Sequence, residues 1–406
     1  MRGILFILLL CVSIVANATA LYRIGSGGDW TSTSNWSTTD GGGSCSCAPG
    51  STDDAYFTSN SGGGSITFSS NPTVGSLTLT GAPSTTISLA TRNLTLEGNF
   101  VGDGAGNVSF TATSGQLRIN GSGSNTFTQA STILNANVSF GADAGASVTH
   151  TLMDNLALGG NKTLDMTNTS GTGDTLDANG YNVTAYKFTS TSTTTPRTLH
   201  MGSGTWTFYN SSGVQWQVGI AGSNFTLDAG TSKIVLTNPS GSGVSFLGGG
   251  YTYYDLDASA VNGINFAANE SNTFHTVTLG VTAGTAYLTF YHGTTTTATT
   301  WNLVGSATYN ITIGSDDSAN QATIAKAGGG VVSGDYLDVA YSVASPANTF
   351  YAGTHSTDGG NNTNWTFTAP PAPSTNIQSI MGLTYGSVSS VMGVSTANMK
   401  SFDGLQ

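Results

Sequence analysis

Two aspartates are the clearest candidates for chemistry in this sequence. Asp255 and Asp257 stand two positions apart in the segment Y-Y-D-L-D-A. On a β-strand this spacing projects both carboxyl groups from one side, where they could serve as the acid and the base of a glycan-cleaving enzyme. The alternative is that Tyr254 and Leu256 point into the core while both aspartates face water. We expect the alternative, because these residues follow the inside–outside alternation of a half-buried strand.

The histidines do not fall in any motif with a known mechanism. The five of them are His150, His200, His275, His292 and His355. None belongs to an H-E-x-x-H zinc motif, and no serine or cysteine nucleophile motif is present. The sequence therefore predicts no catalytic, cofactor-binding or metal-ligating residue beyond the two weak aspartate candidates.

Calcium is the one ion for which the sequence offers ligands. The acidic pairs Asp53-Asp54 and Asp316-Asp317 could hold Ca²⁺ loosely in loops. Neither pair has the oxygen-ligand spacing of a defined calcium loop. We therefore expect no cofactor other than loosely bound Ca²⁺.

Two cysteines, Cys45 and Cys47, stand in the tripeptide C-S-C. A zinc site would need further Cys or His ligands at suitable spacing, and the nearest histidine is His150. In an exported protein the two thiols could form a local disulfide, or they could cross-link to another chain. The sequence leaves both arrangements open.

Asparagines in N-x-S/T triplets are frequent, and each could carry a glycan if the host has the machinery. They are Asn35, Asn93, Asn107, Asn120, Asn137, Asn161, Asn168, Asn182, Asn210, Asn224, Asn269, Asn310, Asn361 and Asn364. In a chain so rich in Asn, Ser and Thr, many such triplets arise by chance.

Charged side chains are scarce in this chain. The 406 residues include 10 Lys or Arg and 21 Asp or Glu, against 55 Gly, whereas soluble domains usually carry about 25% charged residues. With two glutamates and five lysines, exposed helix faces lack their usual residues. No basic cluster is present, which argues against nucleic acid and anionic membranes as partners. The composition predicts a long, neutral, all-β extracellular protein.

The first twenty residues have the pattern of a secretory signal peptide. Arg2 supplies the positive charge, residues 4–16 are apolar, and Ala18-Thr19-Ala20 fits the small-x-small cleavage rule. The apolar stretch is shorter than the ~20 residues that span a bilayer. We expect 1–20 to be removed and the mature chain, with no transmembrane segment, to be secreted or held at the cell surface.

Short strand-like strings restart along the chain. N-L-T-L, N-L-A-L and N-F-T-L occur at 93–96, 155–158 and 224–227, with separations of 62 (155 − 93) and 69 (224 − 155) residues. Three coils of about 21–23 residues would account for each separation, within the range of stacked repeats. Each string places apolar residues on alternate positions after an Asn, which suits an inward-facing strand entered from a turn. The pattern predicts a solenoid.

The ends of the chain differ from its middle. Residues 21–60 carry tryptophans, the cysteines and turn residues, and we interpret them as an N-terminal cap. The solenoid with its C-terminal closure is assigned to 61–367, and the proline-rich stretch 368–376 reads as a linker. Residues 377–406 repeat with a period of 11.

Each 11-residue unit of this tail holds a glycine and apolar or β-branched residues, which favours short strands joined by glycine turns. About thirty residues cannot bury a core alone, so the tail must dock on the solenoid, on its own copy or on a partner. The residues expected to carry this assembly are Ile380, Gly382, Val391, Gly393, Phe402 and Gly404.

Residues 28–80, from G-D-W-T-S-T-S-N-W-S to V-G-S-L-T-L-T-G, resemble the start of secreted right-handed parallel β-helix proteins of the bacterial adhesin and autotransporter-passenger type. Residues 326–367 and the 11-residue tail are similar to repetitive β-helical proteins of environmental bacteria and phages. The resemblance implies a β-helix with a surface role and transfers no catalytic residue.

Taken together, the sequence predicts an all-β fold, a right-handed parallel β-helix with an N-terminal cap and a short repeat tail. The function we expect is that of an exported structural or adhesive protein, not an enzyme, which associates with itself or contacts surface glycans. A polysaccharide lyase or hydrolase of the tailspike type is the first alternative, and a phage receptor-binding fibre is the second. The signal peptide argues against the fibre, because virion parts normally assemble in the cytoplasm.

Overall fold

The computed structural model describes most of the chain. It covers residues 18–371 except 142–143, 167–170, 193, 212, 239–242, 267–269 and 281–283, and in the tail it covers the backbone of 379–380, 383–384, 390–391 and 394–395. The expected signal peptide up to residue 17 lies outside the described residues. So do Asn168, Asn269, Gly382, Gly393, Phe402 and Gly404.

The fold is an all-β solenoid of about 11 turns, with about 1% helix. This confirms the predicted fold class. The described helix is a single 3₁₀ turn, Thr33–Asn35. Most of the strands are short, because turns containing Gly, Asn and Ser interrupt the apolar alternation every few residues.

Three long sheets, named A, B and C here, form the faces of the solenoid. Sheet A consists of β1 (Ala20–Arg23), β3 (Trp36–Ser37), β4 (Asp54–Tyr56), β7 (Leu77–Thr78), β10 (Phe100–Val101), β12 (Gly123–Thr128), β14 (Ser147–Leu152), β17 (Gly173–Asp177), β20 (Arg197–His200) and β23 (Phe225–Asp228).

Sheet B runs for nearly the whole length. It consists of β2 (Gly28–Asp29), β5 (Gly64–Thr67), β6 (Thr73–Val74), β8 (Thr85–Ala90), β9 (Leu94–Leu96), β11 (Val108–Ile119), β13 (Ile133–Phe140), β16 (Thr163–Asp165), β19 (Lys187–Ser190), β22 (Gly213–Val218), β25 (Val244–Leu247), β27 (Ile264–Phe266), β29 (Ala286–Phe290), β31 (Ile311–Ser315), β34 (Leu337–Ala340) and β37 (Thr357–Asp358).

Sheet C begins halfway along the solenoid. It consists of β15 (Leu156–Ala157), β18 (Val183–Ala185), β21 (Thr205–Phe208), β24 (Lys233–Thr237), β26 (Asp255–Ala260), β28 (Thr273–Leu279), β30 (Thr295–Leu303), β32 (Ala322–Lys326) and β35 (Ser342–Ser345). A small sheet D follows near the end: β33 (Val332–Ser333), β36 (Phe350–Tyr351) and β38 (Trp365–Thr366).

Neighbouring strands of the solenoid belong to successive coils and pair in parallel; in the described residues, the pairing of β1 with β3 is the exception. Registered partners in sheet A show the coil length directly. Leu77, Phe100 and Phe127 lie opposite one another, as do Leu199 and Leu227. Hydrogen bonds between adjacent coils of this sheet join residues 23, 27 and 28 positions apart. The coils therefore vary in length, and several are longer than the sequence predicted.

The reason for that difference is visible in the three N-x-x-L strings. Each string does enter a strand directly after its Asn, as predicted, but the strands are β9, β15 and β23. These belong to sheets B, C and A respectively. An Asn-containing turn serves the entry to any of the three faces, so the strings mark strand starts and not equivalent positions in the coil.

Alternate side chains of every sheet point inward and stack on the same position of the next coil. Phe100 and Phe127 have ring centroids 4.7 Å apart, and the stacked rings of Phe266 and Phe290 have centroids 5.1 Å apart and nearly parallel planes. Large apolar side chains of this kind each contribute about 1.5–3 kcal/mol when fully buried. Stacking from coil to coil is therefore what holds the solenoid together.

The first coils are closed by aromatic residues. Trp30 and Trp36 are fully buried, their rings meet edge to face at 5.0 Å, and both contact Phe57. The guanidinium of Arg23 lies over the Trp36 ring at 5.5 Å. Cys45 and Cys47 form a disulfide in the adjoining loop, which is the local arrangement considered from the sequence.

Strand β1 begins at Ala20, the residue at the expected cleavage site. Removal of 1–20 would leave the parallel pairs Leu21–Ala55 and Tyr22–Tyr56 in place. The two tyrosine rings also stack at 5.2 Å. The first strand can thus survive processing at the predicted position.

The chain divides into two compact units, 1–368 and 369–406. Within the second unit, β39 (Ser379–Ile380) pairs antiparallel with β40 (Leu383–Thr384), and β41 (Ser390–Val391) pairs antiparallel with β42 (Val394–Ser395). The second strand pair repeats the first at equivalent positions of the next repeat unit. The two pairs agree with the short strands expected for the first two units of the tail.

Candidate functional site

A surface groove of about 440 Å³ opens where sheet A ends. In the described residues β23 pairs with β20 on one side and with no strand on the other, so it forms the edge of the sheet. The groove is lined by residues 227–230 on the β23 side, and by 252–254, 273–275 and Thr299 from later coils. After β25 the chain enters sheet C at β26 without adding a strand to sheet A, which leaves the outer edge of β23 without a strand partner in the described residues.

A tyrosine takes part of the place of the missing strand. The Tyr251 hydroxyl donates a hydrogen bond of 2.8 Å to the carbonyl of Phe225, and the two rings meet edge to face at 5.4 Å. Phe225 is the first residue of β23. The tyrosine covers only this end of β23. Leu227, near the other end of the strand, lines the groove.

The wall opposite β23 carries a stacked pair of rings. Tyr254 and His275 lie nearly parallel, 13° apart, with centroids separated by 4.3 Å. Nδ1 of His275 is 2.9 Å from a carboxylate oxygen of Asp255, and 47% of the His275 side chain is exposed. When Nδ1 donates to Asp255, Nε2 is the ring nitrogen that can accept a hydrogen bond from a ligand. The wall therefore offers a flat face and a polar edge.

The structure gives the two sequence-predicted aspartates separate partners. Asp255 binds His275, whereas Asp257 is 2.6 Å from Nζ of Lys233 and accepts a hydrogen bond of 2.6 Å from Ser259. Burial alone would raise the pKa of Asp257, but the hydrogen bonds from Lys233 and Ser259 lower it overall. The two carboxyl groups do face outward, yet they are not arranged as a shared acid–base pair.

One expectation about this strand is wrong. Leu256 is buried as predicted, but the inward tyrosine is Tyr253, which is 2% exposed, and not Tyr254. Tyr253 donates a hydrogen bond of 2.7 Å to Gly248 and packs on Phe246. The alternation slips by one residue because β26 starts only at Asp255, so Tyr254 lies in the corner before the strand.

Three further histidines form the same kind of pair with an aspartate of the adjacent coil. The pairs are His200–Asp228 at 3.1 Å, His292–Asp316 at 3.1 Å and His355–Asp335 at 2.8 Å. Sequence reasoning missed these pairs because their members stand 28, 24 and 20 positions apart in the chain. Each separation is one coil length, which varies along the chain, so the sequence alone gives no fixed spacing that would identify the pairs.

The pair His200–Asp228 lies on the β23 side of the groove. A hydrogen bond from His200 lowers the pKa of Asp228, and the backbone amide of Gly230 adds to this effect. Asp228 is also the last step of a polar ladder on the outer face of sheet A. Its registered members, one per coil, are Thr126, Thr151, Asp177, His200 and Asp228. Parallel strands repeat every ~4.8 Å, so the ladder presents hydrogen-bonding groups at that step.

The two acidic pairs considered for calcium bind groups of the protein itself. Asp54 accepts a hydrogen bond from the Ser76 amide at 2.7 Å, and Asp53 accepts one from Gly50 at 2.9 Å. Asp316 accepts one from the His292 amide at 2.7 Å, and Asp317 accepts one from Ala319 at 2.8 Å. Among the described residues, no group of three or more His, Cys, Asp or Glu is placed to hold a metal ion.

The described sequons differ in accessibility. Asn107, Asn161, Asn182, Asn224, Asn361 and Asn364 are exposed, and Asn35, Asn93, Asn120, Asn137 and Asn310 are half-buried. Asn210 is 6% exposed and donates a hydrogen bond of 2.9 Å to Val214, so this site is closed in the folded chain.

No helix of the described chain is long and apolar enough to cross a membrane. Comparison with protein-family models, with curated proteins and with solved structures gave no match.

Proposed function

We propose that this protein is an exported, adhesive β-solenoid that contacts glycans at the groove where sheet A ends. The observation that carries this proposal is the Tyr254–His275 ring pair in a groove bordered by Asp228. Sugars offer apolar C–H faces to aromatic rings and hydroxyl groups to polar side chains, and this groove supplies partners for both.

The surroundings of the groove favour a neutral ligand. The sequence has a net charge of −11 with no basic cluster, so an anionic polymer would find little attraction. The ladder that leads to Asp228 is made of short hydroxyl, carboxyl and imidazole groups. Such groups exchange hydrogen bonds with sugar hydroxyls without needing a charged partner.

A glycan array probed with residues 21–406 tests the proposal. We expect binding to at least one class of neutral glycan, and a loss of about tenfold or more in affinity for Tyr254→Ala and for His275→Ala. His355→Ala is the matched control, because His355 stacks on Tyr336 and pairs with Asp335 away from the groove. Binding to no glycan, or equal losses in all three variants, would contradict the proposal.

A glycan-cleaving enzyme is the second candidate, and the Asp255–His275 pair is the observation that favours it. An imidazole held by a carboxylate is a common general base. If the groove is catalytic, reducing ends or unsaturated products should be released from a bound polysaccharide, and His275→Ala should abolish the release while His355→Ala preserves it. Binding without product would leave adhesion as the function.

We also propose that the tail mediates self-association. Its strand pairs β39–β40 and β41–β42 are two residues long on each side. Each pair is a two-stranded sheet in the described residues, so each of its strands keeps one edge that can pair with another chain.

A further inference from the structure

Tyr287 on the outer face of sheet B lies flat against the solenoid. Outward side chains of strands normally stand roughly perpendicular to the sheet. Here the ring leans back across the preceding coil, where a Cβ on Gly263 would be 2.6 Å from Cδ1 of Tyr287 and 2.7 Å from its Cε1. A Cβ on Gly243, one coil further, would overlap the tyrosine hydroxyl. The ring thus spans two coils, and both positions under it are glycine.

The flat ring is open to solvent on its other side. Tyr287 is 38% exposed as a whole residue although its ring lies over the preceding coil. Gly263 has φ of 142°, a backbone conformation that residues with a side chain rarely adopt. The missing side chain of Gly263 leaves room for the ring, and the backbone conformation favours glycine at this position.

Polar groups follow the ring along the solenoid axis. Tyr287 is registered with Thr312, and Thr312 with Asp338, at one residue per coil. Asp338 is held by the amide of Asn310, which donates to its two carboxylate oxygens at 3.2 and 3.1 Å. The ring covers the two coils before β29, and the two coils after β29 present a hydroxyl and an oriented carboxylate, with the registered backbone positions ~4.8 Å apart.

We propose that Tyr287 is a stacking platform for a sugar ring, with Thr312 and Asp338 as hydrogen-bonding partners for that sugar or the next one along the chain. The ligand class is a neutral oligosaccharide of hexopyranose units whose apolar face can lie on the ring. A protein partner would need a continuous apolar patch, whereas the neighbours of this ring in the sheet are glycine, threonine and aspartate. This inference rests on the proposed function and adds a second contact on another face of the solenoid.

Isothermal titration calorimetry with cellohexaose and with chitohexaose tests the platform. We expect the wild-type chain to bind at least one of these probes, and Tyr287→Ala to weaken that binding about tenfold. Tyr287→Phe, which keeps the ring, should stay within about twofold of wild type. Tyr309→Ala is the matched control, because Tyr309 is 37% exposed but lies in a turn outside the strands of sheet B.

The outcomes separate this inference from the proposed function. If the wild-type protein binds a probe and Tyr287→Ala binds it equally well, the proposed stacking role of Tyr287 is wrong while the glycan-binding function stands. If Tyr287→Phe loses as much as Tyr287→Ala, the ring does not act by stacking and the platform is also wrong. If wild type binds neither probe nor any glycan on the array, the proposed function itself fails. Circular dichroism melting of each variant checks that the solenoid remains folded.

Discussion

At the scale of single residues, two buried ionisable groups in sheet A carry opposite pH dependences. Asp174 is 1% exposed, and neither of its carboxylate oxygens has a hydrogen-bond partner among the described residues. Burial raises its pKa to about 6, although the nearby positive charge of Arg197 opposes this effect. His150 is also 1% exposed, and burial lowers its pKa to about 4 despite its hydrogen bond to Gly141. Burial therefore shifts Asp174 toward its protonated form and His150 toward its neutral form, relative to the same groups in the unfolded chain.

Proton linkage fixes the direction in which each group changes the free energy of unfolding with pH. Between about pH 4 and 6 folded Asp174 is protonated while an unfolded aspartate is ionised, so its contribution to stability is lost as pH rises through 6. Between about pH 4 and 6.5 folded His150 is neutral while an unfolded histidine is charged, so its contribution is lost as pH falls. The two slopes oppose each other over the same window.

We predict that Asp174→Asn stabilises the solenoid by about 1–2 kcal/mol at pH 7 and has little effect at pH 4, because the amide carries no charge to bury. The variant should also reveal the His150 slope, with stability rising steadily from pH 4 to 6.5. Urea unfolding at a series of pH values measures both effects. An Asp174→Asn variant that is less stable than wild type at pH 7 would show that the carboxylate, paired at a distance with Arg197, is a net stabilising group.

At the scale of the elements, the corners between sheets A and C depend on stacked glycines. Gly180, Gly202 and Gly230 follow successive strands of sheet A and all have positive φ, at 78°, 68° and 55°. A Cβ on Gly202 would come within 2.6 Å of the Gly180 amide nitrogen and 2.8 Å of its Cα. Each corner thus packs backbone on backbone.

Gly202→Ala is therefore predicted to destabilise the solenoid by about 3 kcal/mol or more. The reason is that it adds a backbone clash to the cost of an alanine at positive φ. Gly293→Ala is the matched control, with φ of 70° and open space around its Cβ, and it should cost about 1–2 kcal/mol. Thermal and urea unfolding of both variants provide the comparison. Equal losses would mean that the corner relaxes and that stacking does not constrain it.

The strands and turns also show which structural features could be predicted from the sequence. The all-β class and the strand starts after Asn93, Asn155 and Asn224 could be predicted, because turn chemistry and alternation are local properties. The coil length, the outward position of Tyr254 and the His–Asp pairs could not. They depend on which residues of different coils lie side by side, and a degenerate repeat of variable length hides that register.

At the scale of the whole molecule, the proposed glycan contacts and the proposed self-association belong to different units. The groove and Tyr287 belong to the unit 1–368, and the repeat tail belongs to the unit 369–406. Side chains at the solenoid surface are mostly neutral, so contacts between copies would not be opposed by strong charge repulsion. A short segment with regularly repeated strand pairs is suited to joining such copies.

The last prediction is that deletion of residues 374–406 leaves the solenoid folded but monomeric. The solenoid has its own stacked core, so its free energy of unfolding should change by no more than about 1–2 kcal/mol. A second variant, Ile380→Lys with Val391→Lys, keeps the tail but places a charge on a strand of each pair, which disfavours edge pairing. Light scattering should find both variants smaller than the wild-type assembly, with melting curves that overlap the wild-type curve. A truncated chain that unfolds would make the tail part of the solenoid core, and one that still assembles would place the self-associating surface on the solenoid.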